Sequence, residues 1–257
     1  MKEHPVYHID YGKNTHIGGR SENQDYSDAV IDPEHLRYCF AVADGLGGHL
    51  GGQMASKTAV MSIMKAFPNF TKDNINREFT AMFHEANEII KEKSKAQLLM
   101  ENMKTTCVVL VIIEDKAYWA HVGDSRLYVF RKWAPYYRTK DHSVVQLLLD
   151  IGEIGPDEVL KHPDRNKVTR NLGMTAKLEP SVFANGLELN PGDCFLLCTD
   201  GFWQYMNEKE IALILRYYSD NPAQKIIDIL FDKAITKARS GDEKKYDNLT
   251  AQLVIVR

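Results

Sequence analysis

The chain has 257 residues, with 35 acidic and 32 basic side chains and a formal net charge of −3. That balance leaves no basic excess for a phosphate backbone or an anionic lipid surface, so neither nucleic acid nor membrane is expected as a partner. At 44% hydrophobic and 26% charged residues the composition excludes disorder, and the length allows a sizeable core. No apolar run approaches the roughly 20 residues that span a bilayer. Met1–Asp10 has no apolar segment behind its lysine, and the chain stops at Arg257 directly after a strand-like run. Neither a signal peptide nor a C-terminal anchor is therefore expected, and a cytoplasmic location follows.

In chain order, the first clear strand is Tyr38–Ala43. Gly52 to Phe67 then carries a helical stripe through Ala55, Ala59, Met61 and Ile63. A second stripe runs through Ile75, Phe79, Met82, Phe83, Ala86, Ile89 and Ile90. Cys107–Ile113, Ala117–Val122 and Arg126–Arg131 read as strands. Their connections, Glu114–Lys116 and Gly123–Ser125, have hairpin length. From Asp150 to Arg170 the periodicity lapses around Gly152, Gly155–Pro156 and His162–Pro163, which predicts a surface loop or flap. Cys194–Cys198 is a further strand. Asn207 with Glu210 has the spacing of a capping box, and Asn221–Pro222 supplies an N-cap and a first-turn proline for a helix through Ile226, Leu230 and Ala234. Thr250–Val256 closes the chain as a strand. No repeat or linker interrupts the pattern, so residues 1–257 are expected to form a single α+β domain.

The four cysteines, Cys39, Cys107, Cys194 and Cys198, all lie in apolar strand-like runs. Four residues of extended strand cover about 13 Å, whereas a disulfide needs Cα atoms roughly 4.4–6.8 Å apart. Cys194 and Cys198 therefore cannot pair within one strand, and all four are expected to be reduced core residues.

The informative feature is where aspartates fall. Asp44–Gly45 follows Phe40–Ala43, Asp124 follows Ala120–Gly123, and Asp200–Gly201 follows Phe195–Thr199. Asp247 precedes the last strand, and Asp25 precedes the first clear one. Each alone is an ordinary turn residue. Together, carboxylates on the ends of several packed strands can converge, and their mutual repulsion then calls for a cation. An all-oxygen donor set suits magnesium or manganese, while no Cys–His cluster stands at zinc spacing. The glycines after Asp44 let backbone pass close to such a site, and the Gly45 carbonyl could serve an ion. Without a lysine and a following serine or threonine they do not make a nucleotide loop.

The segments Arg20–Asp25, Asp44–His49, Thr105–Thr106, Gly123–Arg126, Asp141–Ser143, Thr199–Gly201 and Asp247–Asn248 resemble, in order, the motif set of the type 2C protein phosphatases. The Gly-Gly-His form is similar to the bacterial branch. The resemblance implies a four-layer sandwich, two packed antiparallel β-sheets flanked by pairs of α-helices. It implies hydrolysis of phosphoserine and phosphothreonine in proteins by a water or hydroxide activated by two divalent metals, Mn2+ or Mg2+. By similarity Asp44 and Asp200 contact the two core ions, with the Gly45 carbonyl on one and Asp247 on another. Asp124 serves the third ion of bacterial members. Arg20 clamps the substrate phosphate, and Asp25 orients the water the metals hold. The chemistry needs these types: two divalent ions neutralise the phosphate dianion and sharpen the nucleophile, and a guanidinium matches phosphate oxygens as a fork.

Two positions depart from the family pattern. Gln24 stands where many members have glutamate, which removes one carboxylate contact. Leu46 stands where the animal form has its histidine. His49 is then the nearby candidate for protonating the leaving alkoxide, against a packing or capping role at the start of a helix, or a metal-held water as the acid. Arg126 and Arg170 read as structural pairing partners, and His142 as a loop-fixing residue. The implied partners are phosphorylated proteins, substrates of a cognate serine/threonine kinase, met by a monomer. The rival readings are a pseudophosphatase acting as a binding module, which should lack a metal aspartate, and a hydrolase of small phosphoesters on the same scaffold.

Overall fold

Strand β5 (Cys107–Ile113) carries seven consecutive apolar residues, all buried, and such a strand is stable only where both its faces are covered. Its alternate residues serve two different cores. Val108, Leu110 and Ile112 point into a layer shared with Phe40, Val42, Phe195, Leu197 and Val254. Cys107, Val109 and Val111 point the other way, onto Ala59, Ile63, Phe79 and Phe83. The computed structural model, which describes residues 7–47, 50–96, 102–174, 176–240 and 246–257, builds a four-layer sandwich around this strand.

One sheet has the order β2 (Asp25–Asp32), β3 (Arg37–Leu46), β5, β6 (Lys116–Val122), β9 (Ser181–Glu188), with the short β4 (Lys104–Thr105) beside the end of β3. The other runs β1 (Ile9–His16), β11 (Leu249–Val256), β10 (Cys194–Cys198), β7 (Arg126–Arg131), β8 (Ala134–Arg138). All these pairings are antiparallel. Helices α1 (Leu50–Ala66) and α2 (Ile75–Ala96) cover the outer face of the first sheet. The second sheet is covered by α4 (Asp200–Trp203), α5 (Glu208–Tyr217) and α6 (Ala223–Ser240), packed through Phe202, Ile211, Leu215, Ile227 and Phe231. This is the α+β architecture expected from the motifs. Among the described residues no helix is long and apolar enough to cross a membrane.

The structure adds elements the sequence pattern did not reveal. β1, β2, β8 and β9 lie at sheet edges, and the five residues of β8 are all exposed, so no alternation marks it. β3 continues past Ala43 to Leu46 because β4 pairs with Gly45 and Leu46. α3 (Val144–Asp150) precedes the 150–170 segment, which holds one 3₁₀ turn, Pro156–Lys161, and returns to the body where Val168 bridges Ser143. Asn207 and Glu210 form the expected reciprocal cap of α5. At α6 the first N–H, on Ala223, goes instead to Asp10 Oδ2, while Asn221 Nδ2 donates to the Tyr218 carbonyl. A distant carboxylate thus does the capping expected of Asn221. The four cysteines are free and buried, and burial pushes the Cys107 and Cys194 thiols up to about 12.

Candidate active site

The sandwich brings one set of strand ends to a common edge. Cys198, the last residue of β10, pairs with Ala251 near the start of β11 and with Arg126 at the start of β7. The residues just beyond these ends are Asp200, Asp247 and Asp124. Asp44 arrives near the end of β3, opposite Asp25, the first residue of β2. Asp44, Gly45, Asp124, Asp200 and Asp247 line one cleft of about 470 Å³, with Arg20 on its wall. Asp25 lies behind the cleft lining, buried, and its Oδ2 accepts the Thr199 hydroxyl at 2.9 Å. His49 lies outside the described residues.

Hydroxyl side chains hold the acidic segments in place. The Asp44 N–H donates to Thr106 Oγ1, and Thr105 Oγ1 donates to the Asp44 carbonyl. Thr106 Oγ1 also bonds Ser125 Oγ at 2.7 Å, which ties the Asp44 strand to the turn carrying Asp124. Trp203 of α4 donates its indole N–H to the Asp124 carbonyl at 3.0 Å. Gly45 is pressed against α1, where a Cβ would stand 2.2 Å from the Gly52 carbonyl oxygen, so only glycine fits. The sequence pattern does not single out Thr106, Ser125 or Trp203 as site residues, because a hydroxyl between strands or an apolar ring in a short helix carries no periodic signal. Asn166 and Val168 of the flap region also line the cleft, as does Asn248.

The electrostatics are one-sided. Burial, then the neighbouring Asp25 and Asp200 carboxylates, hold Asp44 well above the usual carboxylate range. Asp124 is likewise raised, by burial and then by Asp200. Burial lifts Asp25 to about 7 against the opposing hydrogen bonds of Thr199 and Thr250. Asp200 rises to about 6 through burial and then the charge of Asp247. Among the described residues the cationic side chain lining this cleft is Arg20, whose Nη2 lies 2.8 Å from Asp247 Oδ2. Asp200 Oδ1 is buried without a hydrogen-bond partner. Among the described residues no three Asp, Glu, His or Cys side chains form a closed ligand cage. An orphaned carboxylate oxygen, mutual repulsion and an all-oxygen donor set nevertheless fit hard divalent cations, which would supply the missing positive charge.

The remaining motif residues have structural duties. Arg126 pairs with Asp141 through Nε and Nη2 at 2.8 and 2.7 Å, and Arg170 Nη1 donates to the Glu179 carbonyl. His142 exchanges bonds with Gly123 through its backbone N–H and its ring Nδ1.

Comparison with known proteins gives a consistent picture. The family model described as protein phosphatase 2C matches residues 13–230. The serine/threonine phosphatase stp of Listeria monocytogenes serotype 4b is 32% identical over 260 residues, which cover 98% of this chain and 95% of that protein. Among solved structures, serine/threonine phosphatase Stp1 from Staphylococcus aureus superposes with a TM-score of 0.85 at 26% identity, over 97% of this chain and 96% of that one. The catalytic domain of serine threonine protein phosphatase PstP, solved in complex with two manganese ions, gives a TM-score of 0.81 over 96% of this chain and 98% of that one; at 24% identity this likeness speaks to the fold.

Proposed function

This chain belongs to the protein phosphatase 2C family, the metal-dependent serine/threonine protein phosphatases, and on that premise we propose which of its residues carry the reaction. The observation that carries the assignment is the meeting of Asp44, Asp124, Asp200 and Asp247, from separate strand ends, in one cleft beside Arg20. Asp44, Asp200 and Asp247, with the Gly45 carbonyl, would hold two divalent ions, manganese or magnesium, and Asp124 a third. Such ions lower the pKa of water and neutralise the charge that builds on the attacking and leaving oxygens.

The chain's own groups do the rest. Arg20 exchanges its Asp247 partner for the substrate phosphate, which its guanidinium meets as a two-pronged donor. Asp25, fixed by Thr199, orients the attacking water from behind the cleft. His49, two residues beyond Gly47 of the cleft wall, protonates the leaving oxygen; its support is its position in the sequence. Asn166 and Val168 line the cleft, which supports the 150–170 flap as the candidate for substrate selection. The chain acts as one catalytic domain, a cytoplasmic monomer that reverses a serine/threonine kinase.

The decisive experiment is hydrolysis of p-nitrophenyl phosphate with and without manganese, by wild type and Asp200→Asn. Metal-dependent release, abolished by chelator and missing in the variant, is expected. Equal turnover by the variant, or no turnover by wild type with any divalent ion, would sink the assignment. A phosphothreonine peptide should also be turned over faster than sugar phosphates or nucleotides; the reverse order would favour a small-phosphoester hydrolase.

A further inference from the structure

We propose that Asn248 is a positioning residue for phosphate recognition: its carboxamide fixes the 17–24 loop so that Arg20 stands over the acidic cleft. The inference rests on the reading of Arg20 as the phosphate clamp.

The loop that carries Arg20 needs such a fixture. Residues 17–24 lie between β1 and β2 outside any strand or helix. The Arg20 N–H makes a long 3.4 Å bond to the Ile17 carbonyl, and the Arg20 side chain is 52% exposed. The neighbouring Gly19 N–H donates to the Tyr246 carbonyl at 2.9 Å, but a two-pronged match to phosphate demands one guanidinium position, which requires the loop to be held on the far side of Arg20 as well.

Asn248 supplies the restraint with its whole carboxamide. Nδ2 donates to the Ile17 carbonyl at 2.7 Å and to the Glu22 carbonyl at 2.9 Å, while Oδ1 accepts the Gln24 N–H at 2.9 Å. The three contacts bracket Arg20, one before it and two after it. Asn248 is 5% exposed, so these bonds are shielded from competing water. Its backbone is itself held from the far side: a Cβ on Gly201 would stand 2.0 Å from the Asn248 carbonyl oxygen, so the start of α4 presses on it. The loop leans on the same segment at Gly18, whose φ is +70° and whose absent Cβ would stand 2.0 Å from the Asp247 carbonyl oxygen. Asp247 Oδ2 then receives Arg20 Nη2, and its Oδ1 receives the Asn248 N–H. Neighbouring residues thus hold the arginine loop by its ends and the arginine by its tip. The residue type follows from the donors: aspartate, nearly the same shape, would set a carboxylate against two carbonyl oxygens.

The test is a double-mutant cycle on p-nitrophenyl phosphate at saturating manganese, with inorganic phosphate as competitive inhibitor. Asn248→Ala and Asn248→Asp should each raise KM and the phosphate inhibition constant on the order of tenfold, with kcat changed less. In an Arg20→Ala background the same substitutions should add nothing, because the group they position is gone. An equal rise in that background would overturn the proposal, as would a raised manganese requirement with KM unchanged, which would place the effect on Asp247. If Arg20→Ala itself leaves KM and phosphate inhibition unaltered, the Arg20 reading fails and this inference fails with it, a different signature. Should both variants fail to fold, Asn248→Ser, too short to reach both carbonyls, carries the same cycle.

Discussion

Two buried polar regions meet at Asp124, and they handle charge in opposite ways. Behind it lies the segment Asp141–His142–Ser143. Asp141 receives two bonds from Arg126, whose remaining nitrogen donates to Tyr128 Oη and whose guanidinium stacks 3.5 Å over the Trp203 ring. His142 bonds Gly123 and Ser181 and stacks on His121, with ring centroids 4.6 Å apart. Ser143 caps α3 by accepting the Gln146 N–H. Each of these side chains is answered within the chain. In front of Asp124 lies the cleft, where carboxylates face one another and Asp200 Oδ1 has no partner. Buried charge that the fold completes is frame; buried charge left incomplete marks where an external cation and substrate belong.

That contrast can be broken by substitutions that act oppositely on activity and stability. Asp200→Asn should lower turnover on the order of 10⁴-fold, about 5.5 kcal/mol of transition-state stabilisation. In metal-free buffer its melting temperature should stay level or rise, since one of several repelling carboxylates is neutralised. A variant that both unfolds and keeps its activity would make the cleft structural and the comparison false. Asp141→Asn should do the reverse, leaving the Arg126 guanidinium buried with no counter-charge. A loss of about 3–5 kcal/mol in urea unfolding is expected, with metal-dependent turnover persisting in the folded fraction. A stability change under about 1 kcal/mol would show that Trp203 and Tyr128 suffice to hold Arg126.

The same contrast governs what the sequence makes legible. Asp44, Asp124 and Asp200 stand directly after apolar runs and Asp247 just before one, so a local pattern exposes them, and antiparallel pairing brings the strand ends together. The framework residues are legible only as letters of motifs. The groups Asn248 holds lie 231, 226 and 224 residues away, and no local spacing encodes them. Asp10 capping α6 from 213 residues away displaces the local Asn221 signal for the same reason. Edge strands escape because their outer faces are wet: β8 is exposed throughout, and in β2 only Asp25 is buried, so period-two alternation never develops.

The smallest effect discriminates most finely, because pH pulls the two regions in opposite directions. His142 is held at about 3, below its ordinary 6.5, by burial and then by the facing His121. As pH falls below 6.5 the unfolded chain takes up a proton that the folded ring refuses, so stability declines until about pH 3 and levels there. The cleft acids do the opposite. Asp25 at about 7 and Asp200 at about 6 bind protons in the folded state that the unfolded chain, near 3.8, does not, so their contribution grows as pH falls from 7 toward 4. In metal-free buffer the two arms partly cancel, and the wild-type profile alone is uninformative. The difference between wild type and His142→Asn removes the cleft from both sides. Urea unfolding at pH 7.5 and 5.5 should show wild type losing about 1.4 kcal/mol more than the variant over that interval. Parallel profiles would mean that the folded His142 ring takes up its proton as readily as the unfolded chain, near the ordinary 6.5, and is not kept neutral by the frame.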